Sequence, residues 1–528
     1  MQQLSGTDNV MLFAERRNIY NHVGALMVYD VTTAPEGKVR FKDIVRHFDA
    51  RMHLHPLFRR RLVQVPFGLD RPYWVADEEL DIEYHMRHIA LPKPGDWRQL
   101  MIQVARLHSR PLDRSHPLWE AYVIEGLDNV PKLPPGAFAM FLKIHHAVVD
   151  GMAAVHLMRE LHASTPDADG WPADPPTIVA DRHPTSIELL ARSLESVPAR
   201  AGRIARLSTR IGTRLLEAGR NQWPEISRGD LKAISDKVAD LIPAPAPTTR
   251  FSSPVSQHRV VEGFGMPLSR IGRIRSKVPG ATINDVFVAV AGGAARRYLE
   301  ARGELPATSL SGLMPISLRS DASSGGNEVA GVPVLVRSDV ADPIERLLAV
   351  KNECIESKAR AEKLGLDLLK SLFDVLPPVA ASGLFLKIAK SVNLTVSNVR
   401  GPDRPIYLAG AKAMCMYPVS IPADGAGLNF TAVTYNGVMW VSMVSYRRML
   451  PDPGVFLECM QASWNELLAA ADALPAPAAP AEARQPSGAA KRSRPGRRSG
   501  PAKASKPPLT RAPLKARRKV AATRTRRT

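Results

Sequence analysis

Two adjacent histidines interrupt an apolar run in the first third of the chain. His145 and His146 follow the apolar segment 138–144, and Asp150 and Gly151 come shortly after them. An imidazole titrates near neutral pH, so it can take a proton from a hydroxyl group and pass it on. Adjacent side chains on extended backbone point to opposite faces, so only one of these histidines can face a substrate. The pattern predicts one general base at the end of a strand.

The residues after the histidines fit a turn beside a substrate. Gly151 permits the close backbone approach that such a turn requires. Asp150 has two interpretations: it orients an imidazole, or it pairs with an arginine and braces the turn. The sequence contains no G-x-S-x-G, H-E-x-x-H, G-x-x-x-x-G-K-[ST] or G-x-G-x-x-G motif, which disfavours serine hydrolases, zinc proteases and nucleotide sites of those kinds. A base without a protein nucleophile suggests direct transfer from donor to acceptor.

The elements that must position these residues follow an α/β (α+β) pattern. The apolar run is strand-like, and 152–161 has helical spacing. Strand and helix patterns alternate again from about residue 249, and Asn436-Gly437 predicts a hairpin. Pro-rich breakers and a strand-free helical stretch separate the two parts. We expect a first domain at 1–163, a linker with helices at 164–248, a second domain at 249–473 and a disordered tail at 474–528.

The positive charge is concentrated in the tail. The chain has 528 residues and a formal net charge of +20, and 16 Lys/Arg against one acidic residue lie between Ala481 and Thr528. Three interpretations remain open: a solvated tail, a tether to a membrane or lipid body, and a nucleic-acid arm. No aromatic residues interleave with the charges, so base stacking is not indicated. The basic amphipathic stretch 204–216 either packs on the body or lies on an anionic membrane.

Cysteine usage and hydropathy suggest an intracellular protein. The three cysteines are widely spaced and form no CxxC pattern, which disfavours a disulfide framework and a cysteine-based metal site. His108 and His116 have no partner at metal-ligand spacing, so we expect no metal. No basic-then-apolar leader opens the sequence, and no apolar run reaches the length of a membrane span. These features predict a soluble or peripheral intracellular protein.

Several spaced motifs resemble one family. His145 to Gly151 looks like the HHxxxDG motif of CoA-dependent acyltransferases, and more narrowly the chain resembles the bacterial wax ester synthase/diacylglycerol acyltransferase family from Leu4 to about Ala473. One departure is Arg400, where the family usually has proline. The other matching segments are Leu4-Ser5 with Asp8, Pro117-Leu118-Trp119-Glu120, Asn284-Asp285, Pro315-Ile316-Ser317-Leu318-Arg319, Ser397-Asn398-Val399 and Gly401-Pro402.

The resemblance implies two chloramphenicol-acetyltransferase-like domains joined by a helical linker, with the active site between them. His146 would be the general base that deprotonates the acceptor hydroxyl, and His145 would support the turn. Asp150 would be structural, and Gly151 would leave room for substrate. Asn284 would give polar support from the second domain and help hold the oxyanion, with a helix N-cap as the alternative.

The resemblance also implies the substrates. The donor would be acyl-CoA, used as a co-substrate with no other cofactor, and the acceptor diacylglycerol or a fatty alcohol. The products would be triacylglycerol and wax esters, and the protein would be cytoplasmic, peripherally associated with the inner membrane face or with lipid bodies. The alternative is a related acyltransferase that uses another acceptor or a carrier-bound acyl donor. Trp119 and Glu120 would either determine the fold or touch ligand.

Overall fold

The computed structural model of the protein describes residues 1–77, 80–149, 151–166, 181–198, 202, 245–317, 329–364 and 378–475. The strands are, in chain order, β1 (Gln2–Gln3), β2 (His22–Asp30), β3 (Arg60–Val63), β4 (Tyr73–Ala76), β5 (Met86–Ala90), β6 (Trp119–Glu125), β7 (Phe138–His145), β8 (Arg259–Pro267), β9 (Ser311–Ser317), β10 (Val329–Leu335), β11 (Leu394–Arg400), β12 (Tyr407–Leu408), β13 (Ala411–Val419), β14 (Leu428–Tyr435) and β15 (Val438–Tyr446).

The helices of the described residues are, apart from short 3-10 turns, α1 (Gly6–Phe13), α2 (Phe41–Asp49), α3 (Ile82–His85), α4 (Trp97–His108), α5 (Gly151–Leu161), α6 (186–198), α7 (Leu268–Lys277), α8 (Ile283–Glu300), α9 (Pro343–Leu364), α10 (Pro378–Lys390) and α11 (Pro453–Ala473). Two six-stranded sheets organise most of these elements, one built mainly from the N-terminal half of the chain and the other from the C-terminal half. A small three-stranded sheet has the order β1-β4-β3. The predicted α/β fold is therefore confirmed.

The strand that leads to the histidines lies inside the N-terminal sheet. The order of this sheet is β12-β13-β2-β7-β6-β5, and all eight residues of β7 are buried. Phe138 and every second residue after it, up to Ile144, pack on one face with α2 and α5. Ala139 and Phe141 pack on the other face with α4. A strand covered on both faces reads as a continuous apolar run, which is what the sequence shows.

The second sheet has the order β10-β9-β11-β14-β15-β8. Its core is built around α8, whose residues are buried on almost every side. A Cβ atom on Gly292 would lie 1.9 Å from the carbonyl oxygen of Val336, so only glycine allows this helix to approach the neighbouring chain. The hairpin between β14 and β15 turns at Asn436 and Gly437, both with positive φ, as their sequence predicts.

The C-terminal half of the chain contributes two strands to the N-terminal sheet. β12 and β13 come from the C-terminal half of the chain, but β13 pairs antiparallel with β2 in the N-terminal sheet. Tyr435 on β14 donates a hydrogen bond to the carbonyl of Ala413 on β13, which joins the two sheets. The expected second domain at 249–473 contains the residues of β12 and β13, although these strands lie in the N-terminal sheet. Strand pairing over such a distance leaves no local signal in the sequence.

The opening of the sequence predicts a capped short helix from about Asp8 to Arg17, and the structure differs from this expectation. Ser5 is the N-cap of α1 and accepts a hydrogen bond from the backbone N–H of Asp8, so the helix begins at Gly6. It ends at Phe13, and the chain reverses at Asn18, whose φ is positive. The expected helix bounds were therefore wrong at both ends.

Several predictions lie on residues outside the described ones: Asp150, the stretch 204–216, most of the linker and the tail beyond 475. Within the described ranges, no helix is long and apolar enough to cross a membrane. Cys354, Cys415 and Cys459 are all free thiols, in line with their spacing.

Candidate active site

His145 closes β7 and is held on both sides of its ring. Its Nε2 lies 3.1 Å from Oε1 of Glu15, and its Nδ1 accepts a hydrogen bond of 3.0 Å from the backbone N–H of Ala147. An accepting Nδ1 leaves the ring proton on Nε2, where it points at the carboxylate. The side chain is only 1% exposed. Because both nitrogens are engaged within the protein, His145 holds the turn in place.

Glu15 is a charged anchor for this histidine. It accepts hydrogen bonds from the backbone N–H of Asn21 at 2.6 Å and from Arg114 at 2.7 Å as well. Burial alone would raise the pKa of the carboxyl group, but the hydrogen bonds from His145, Arg114 and Asn21 outweigh it and lower the pKa to about 2. The carboxylate is therefore ionised at every physiological pH.

His146 lies one residue beyond the strand, in the turn. Its backbone N–H donates a 2.7 Å hydrogen bond to the carbonyl of Asn21, and the N–H of Val148 donates to the carbonyl of His145. The residue is half-buried, in contrast to its neighbour. The turn thus fixes the backbone of His146, and the residue as a whole is less buried than His145.

Asp150 lies outside the described residues, so its two interpretations remain open. Gly151 begins α5, which leads directly away from the turn. This helix contacts β11 of the second sheet, and Ala153 and Ala154 pack against a hydrophobic cluster that includes Tyr435 of β14. The segment that follows the histidines is therefore in contact with the other half of the protein.

Asn284 approaches the same strand from the second half. It lies in the first turn of α8, which also contacts β11, and its amide Nδ2 is 3.3 Å from Sδ of Met314 on β9. The N-cap of this helix is Thr282, which forms a capping box with Asp285. The alternative that Asn284 is the N-cap was therefore wrong. The half-buried Asn284 does not cap this helix.

Trp119 and Glu120 have structural contacts. The indole N–H of Trp119 donates to the carbonyl of Phe58 at 3.0 Å, and the ring is fully buried. Glu120 forms a 2.8 Å ion pair with Lys143, whose side chain has no exposed surface. Lys143 interrupts the apolar run of β7, so the pair explains a charge that would otherwise be costly inside a sheet. These residues determine the fold.

A buried arginine from the second half braces the chain next to the histidine turn. Arg259 Nη1 lies 3.0 Å from Nδ1 of His108, and its Nη2 donates to the carbonyl of Tyr20 at 3.1 Å. Nε2 of His108 lies 3.1 Å from the carbonyl of His22. Burial, then the nearby positive charges, holds the pKa of His108 well below its usual value, so the ring accepts from the guanidinium. His108 is structural, as expected.

The sequence alone did not single out Glu15, Asn21 or Arg259. Each lies far along the chain from the histidines, in or next to a loop, and carries no local motif. Lys143 did carry a signal, because a lysine within an otherwise apolar strand needs a buried partner. Among the residues that the structure describes, no group of three His, Cys, Asp or Glu side chains is arranged to hold a metal ion.

Two protein-family models match this chain. Residues 4–287 match the wax ester synthase/diacylglycerol acyltransferase catalytic domain, and residues 325–468 match the WS/DGAT C-terminal domain. The chain belongs to the wax ester synthase/diacylglycerol acyltransferase family. The two matched domains span both halves of the described fold.

Relatives of this family match nearly the whole chain. The O-acyltransferase WSD of Acinetobacter baylyi is 31% identical over 458 residues, which cover 85% of this chain and 93% of that protein. A Mycobacterium tuberculosis protein named "Probable diacylglycerol O-acyltransferase tgs2" is 32% identical over 483 residues, which cover 88% of this chain and 99% of that protein. These matches make the family membership independent of the histidine motif.

Solved structures agree with the fold. The wax ester synthase/diacylglycerol acyltransferase from Marinobacter aquaeolei VT8 superposes with a TM-score of 0.63 at 27% identity, covering 89% of this chain and all of that one. The first condensation domain of the calcium-dependent antibiotic synthetase superposes with a TM-score of 0.51 at 16% identity, over 90% and 97% of the two chains, which shows a shared fold.

Proposed function

We propose that this protein of the WS/DGAT family transfers the acyl group of acyl-CoA to the free hydroxyl of diacylglycerol and forms triacylglycerol, with fatty alcohols as a second class of acceptor. The observation that carries the proposal is the division of labour between the two histidines. His145 is fixed on both ring nitrogens, whereas His146 is half-buried at the turn. The names of the relatives, which are O-acyltransferases, support the same reaction.

The chemistry follows from a base at this position. A ring nitrogen of His146 takes the proton of the acceptor hydroxyl as its oxygen attacks the thioester carbonyl. The tetrahedral intermediate then collapses, the carbon–sulfur bond breaks, and the thiolate of CoA receives the proton from the imidazolium. The products are an ester and free CoA. No protein nucleophile is needed, because the acceptor oxygen attacks the donor directly.

The neighbouring residues support this step. His145 and its anchor Glu15 keep the turn rigid, which fixes the direction of the His146 ring. The amide of Asn284, which is not used as a helix cap, is our candidate for stabilising the oxyanion of the intermediate. Asp150 would brace the turn and Gly151 would leave room for the substrate. Acyl-CoA is the co-substrate, and the proposal involves no other cofactor.

The test compares His146→Ala with the unchanged protein in transfer of labelled palmitate from palmitoyl-CoA to dioleoylglycerol. Loss of a general base is expected to reduce kcat about 10²- to 10⁴-fold. His88→Ala is a matched control, because this side chain is 41% exposed on the edge strand β5. Turnover retained in His146→Ala would remove this residue from the mechanism.

The donor and acceptor are tested in the same assay. Palmitoyl-CoA is compared with a palmitoyl-carrier protein, and dioleoylglycerol with hexadecanol. We expect turnover with palmitoyl-CoA and with both acceptors. Turnover with the carrier-bound donor alone would favour the alternative of a carrier-dependent acyltransferase.

We further propose that the protein works at the surface of a membrane or lipid body, because its acceptors are insoluble in water. Apolar side chains are exposed beside the small sheet β1-β4-β3, including Phe67 at 91% and Leu194 at 71%. Leu194 lies on α6, which Ser196 ties to Asp70 near Phe67. Co-sedimentation with vesicles of phosphatidylglycerol and phosphatidylcholine is expected to fall in a Phe67→Ser, Leu194→Ser variant. Unchanged binding would mean that these side chains do not contact lipid.

A further inference from the structure

A cavity of about 1220 Å³ opens between the two halves of the protein. One wall is the face of α4 with the loop around Tyr20, from the N-terminal half. The other wall is the start of β8, the end of β15 and the start of α11, from the C-terminal half. This volume exceeds what a small apolar ligand requires, and it suits a large, extended molecule.

Arginines line both walls. Arg98 and Arg106 are exposed on α4 and lie eight residues apart, with Ile102 between them, so all three share one face of the helix. Arg110 follows the helix, and Arg447 lies on the opposite wall. None of the four guanidinium groups makes an ion pair or a hydrogen bond with another described residue, whereas the guanidinium of Arg259, which also lines the cavity, bonds to His108 and Tyr20.

The acidic groups in the cavity leave this positive charge largely uncompensated. Asp452 is bound by Arg302 and by the hydroxyl of Tyr298, so its charge is already neutralised. Glu262 accepts a hydrogen bond from the indole of Trp97, and burial raises the pKa of its carboxyl group to about 7. Glu458 is the remaining acid among the lining residues. The cavity is therefore cationic at neutral pH.

The cavity is built on the network that braces the histidine turn. Tyr20 lines it, and the next residue, Asn21, accepts the hydrogen bond from the N–H of His146. The floor is fixed by Arg259, which is 3% exposed and holds both Tyr20 and His108. Through Tyr20 and Asn21, one wall of the cavity is therefore continuous with the backbone that holds the histidine turn.

We propose that this cavity binds the phosphate groups of the coenzyme A part of the acyl donor, with Arg98, Arg106 and Arg110 on one wall and Arg447 on the other. The inference rests on the proposed acyl-CoA-dependent activity and assigns its nucleotide site. CoA carries a diphosphate and a 3′-phosphate at one end and its thioester at the far end of a long flexible arm. The planar guanidinium fork matches phosphate oxygens, so unpaired arginines at an open rim fit this end.

The test uses two donors that share the thioester but differ in phosphate content. Palmitoyl-CoA carries the phosphates, and palmitoyl-pantetheine lacks them. One variant combines Arg106→Ala with Arg110→Ala, and a second carries Arg447→Ala alone. For both variants, we expect KM for palmitoyl-CoA to rise about tenfold or more, because a charge-assisted contact is lost. KM for palmitoyl-pantetheine and kcat for both donors should stay unchanged. Arg273→Ala is the control, because Arg273 is an exposed arginine on α7 outside the cavity.

Direct binding separates this inference from the proposed function. Calorimetry with CoA itself requires no turnover, so weaker binding in the arginine variants supports the site even if the acceptor has been assigned wrongly. Equal binding of CoA to the unchanged protein and to both variants would overturn it. Sedimentation with phosphatidylglycerol vesicles tests whether the arginines bind the phosphate of lipid headgroups instead. Variants that lose vesicle binding but keep their KM for palmitoyl-CoA would assign the arginines to lipid headgroups, and this result would also overturn the inference. Thermal melting checks that each variant is folded.

Discussion

The buried carboxylate of Glu15 should contribute strongly to stability at neutral pH. Its pKa falls from an ordinary value of 4.5 to about 2 in the folded protein, with the hydrogen bonds from His145, Arg114 and Asn21 outweighing burial. At 1.36 kcal/mol for each pH unit, this corresponds to about 3 kcal/mol of folding free energy. Glu15→Gln keeps the shape but removes the charge, so it should lose most of that amount at pH 7.

The stabilisation of the fold by the Glu15 carboxylate depends on pH. A carboxyl group with a lowered pKa stabilises the fold above its unfolded pKa, and this contribution disappears as the pH falls through the folded value. The difference between the unchanged protein and Glu15→Gln should therefore stay constant from pH 7 to about pH 5 and fall to roughly half by pH 3.

Denaturant unfolding followed by tryptophan fluorescence measures both effects. Glu300→Gln is the control, because Glu300 is in an exposed i,i+4 ion pair with Arg296 that should be worth only about 0.3–0.5 kcal/mol. If Glu15→Gln is as stable as the unchanged protein at pH 7, or if its deficit grows as the pH falls, the charged anchor described for His145 is wrong.

Three more predictions concern other charged groups. Lys143→Met should lower the free energy of unfolding by about 1–3 kcal/mol, because the buried Glu120 loses its closest cation and keeps only the hydroxyl of Tyr122 and the more distant Arg87. Lys143→Met with Glu120→Leu should recover much of the loss in denaturant unfolding. Glu262→Gln should stabilise the protein above pH 7 and have little effect near pH 4.5, because the raised pKa of about 7 makes ionisation of Glu262 unfavourable; unfolding at pH 5 and pH 8 compares the two. Deletion of 481–528 should leave kcat intact and weaken vesicle sedimentation, and a loss of turnover would contradict the division of the chain.

Much of the local structure could be predicted from the sequence. Helix α7 and the closing helix α11 have the bounds that apolar spacing and flanking prolines indicate, and the Asn436-Gly437 turn lies where its residues require positive φ. The N-cap of α8 shows where local reading failed: the sequence suggested Asn284 as a possible cap, but the cap is Thr282, which forms a capping box with Asp285. These features depend on neighbours along the chain.

The contacts between distant segments could not be predicted in the same way. The pairing of Glu15 with His145 joins residues 130 positions apart, and neither residue's surroundings in sequence indicate the other. The same is true of Arg259 and His108, which are 151 positions apart. The histidines therefore identified the chemistry, whereas the residues that hold them became visible only in the fold.

The pairing of β13, from the C-terminal half, with β2 has a consequence for biosynthesis. β2 needs β13 as its partner on one side, and β13 ends at Val419, so a ribosome must finish most of the chain before the first sheet can close. Until then β2 presents a row of unsatisfied backbone groups, which is a template for aggregation. A gene fragment that stops after residue 248 should accumulate in inclusion bodies, and supplying 249–475 as a second polypeptide during expression should rescue it.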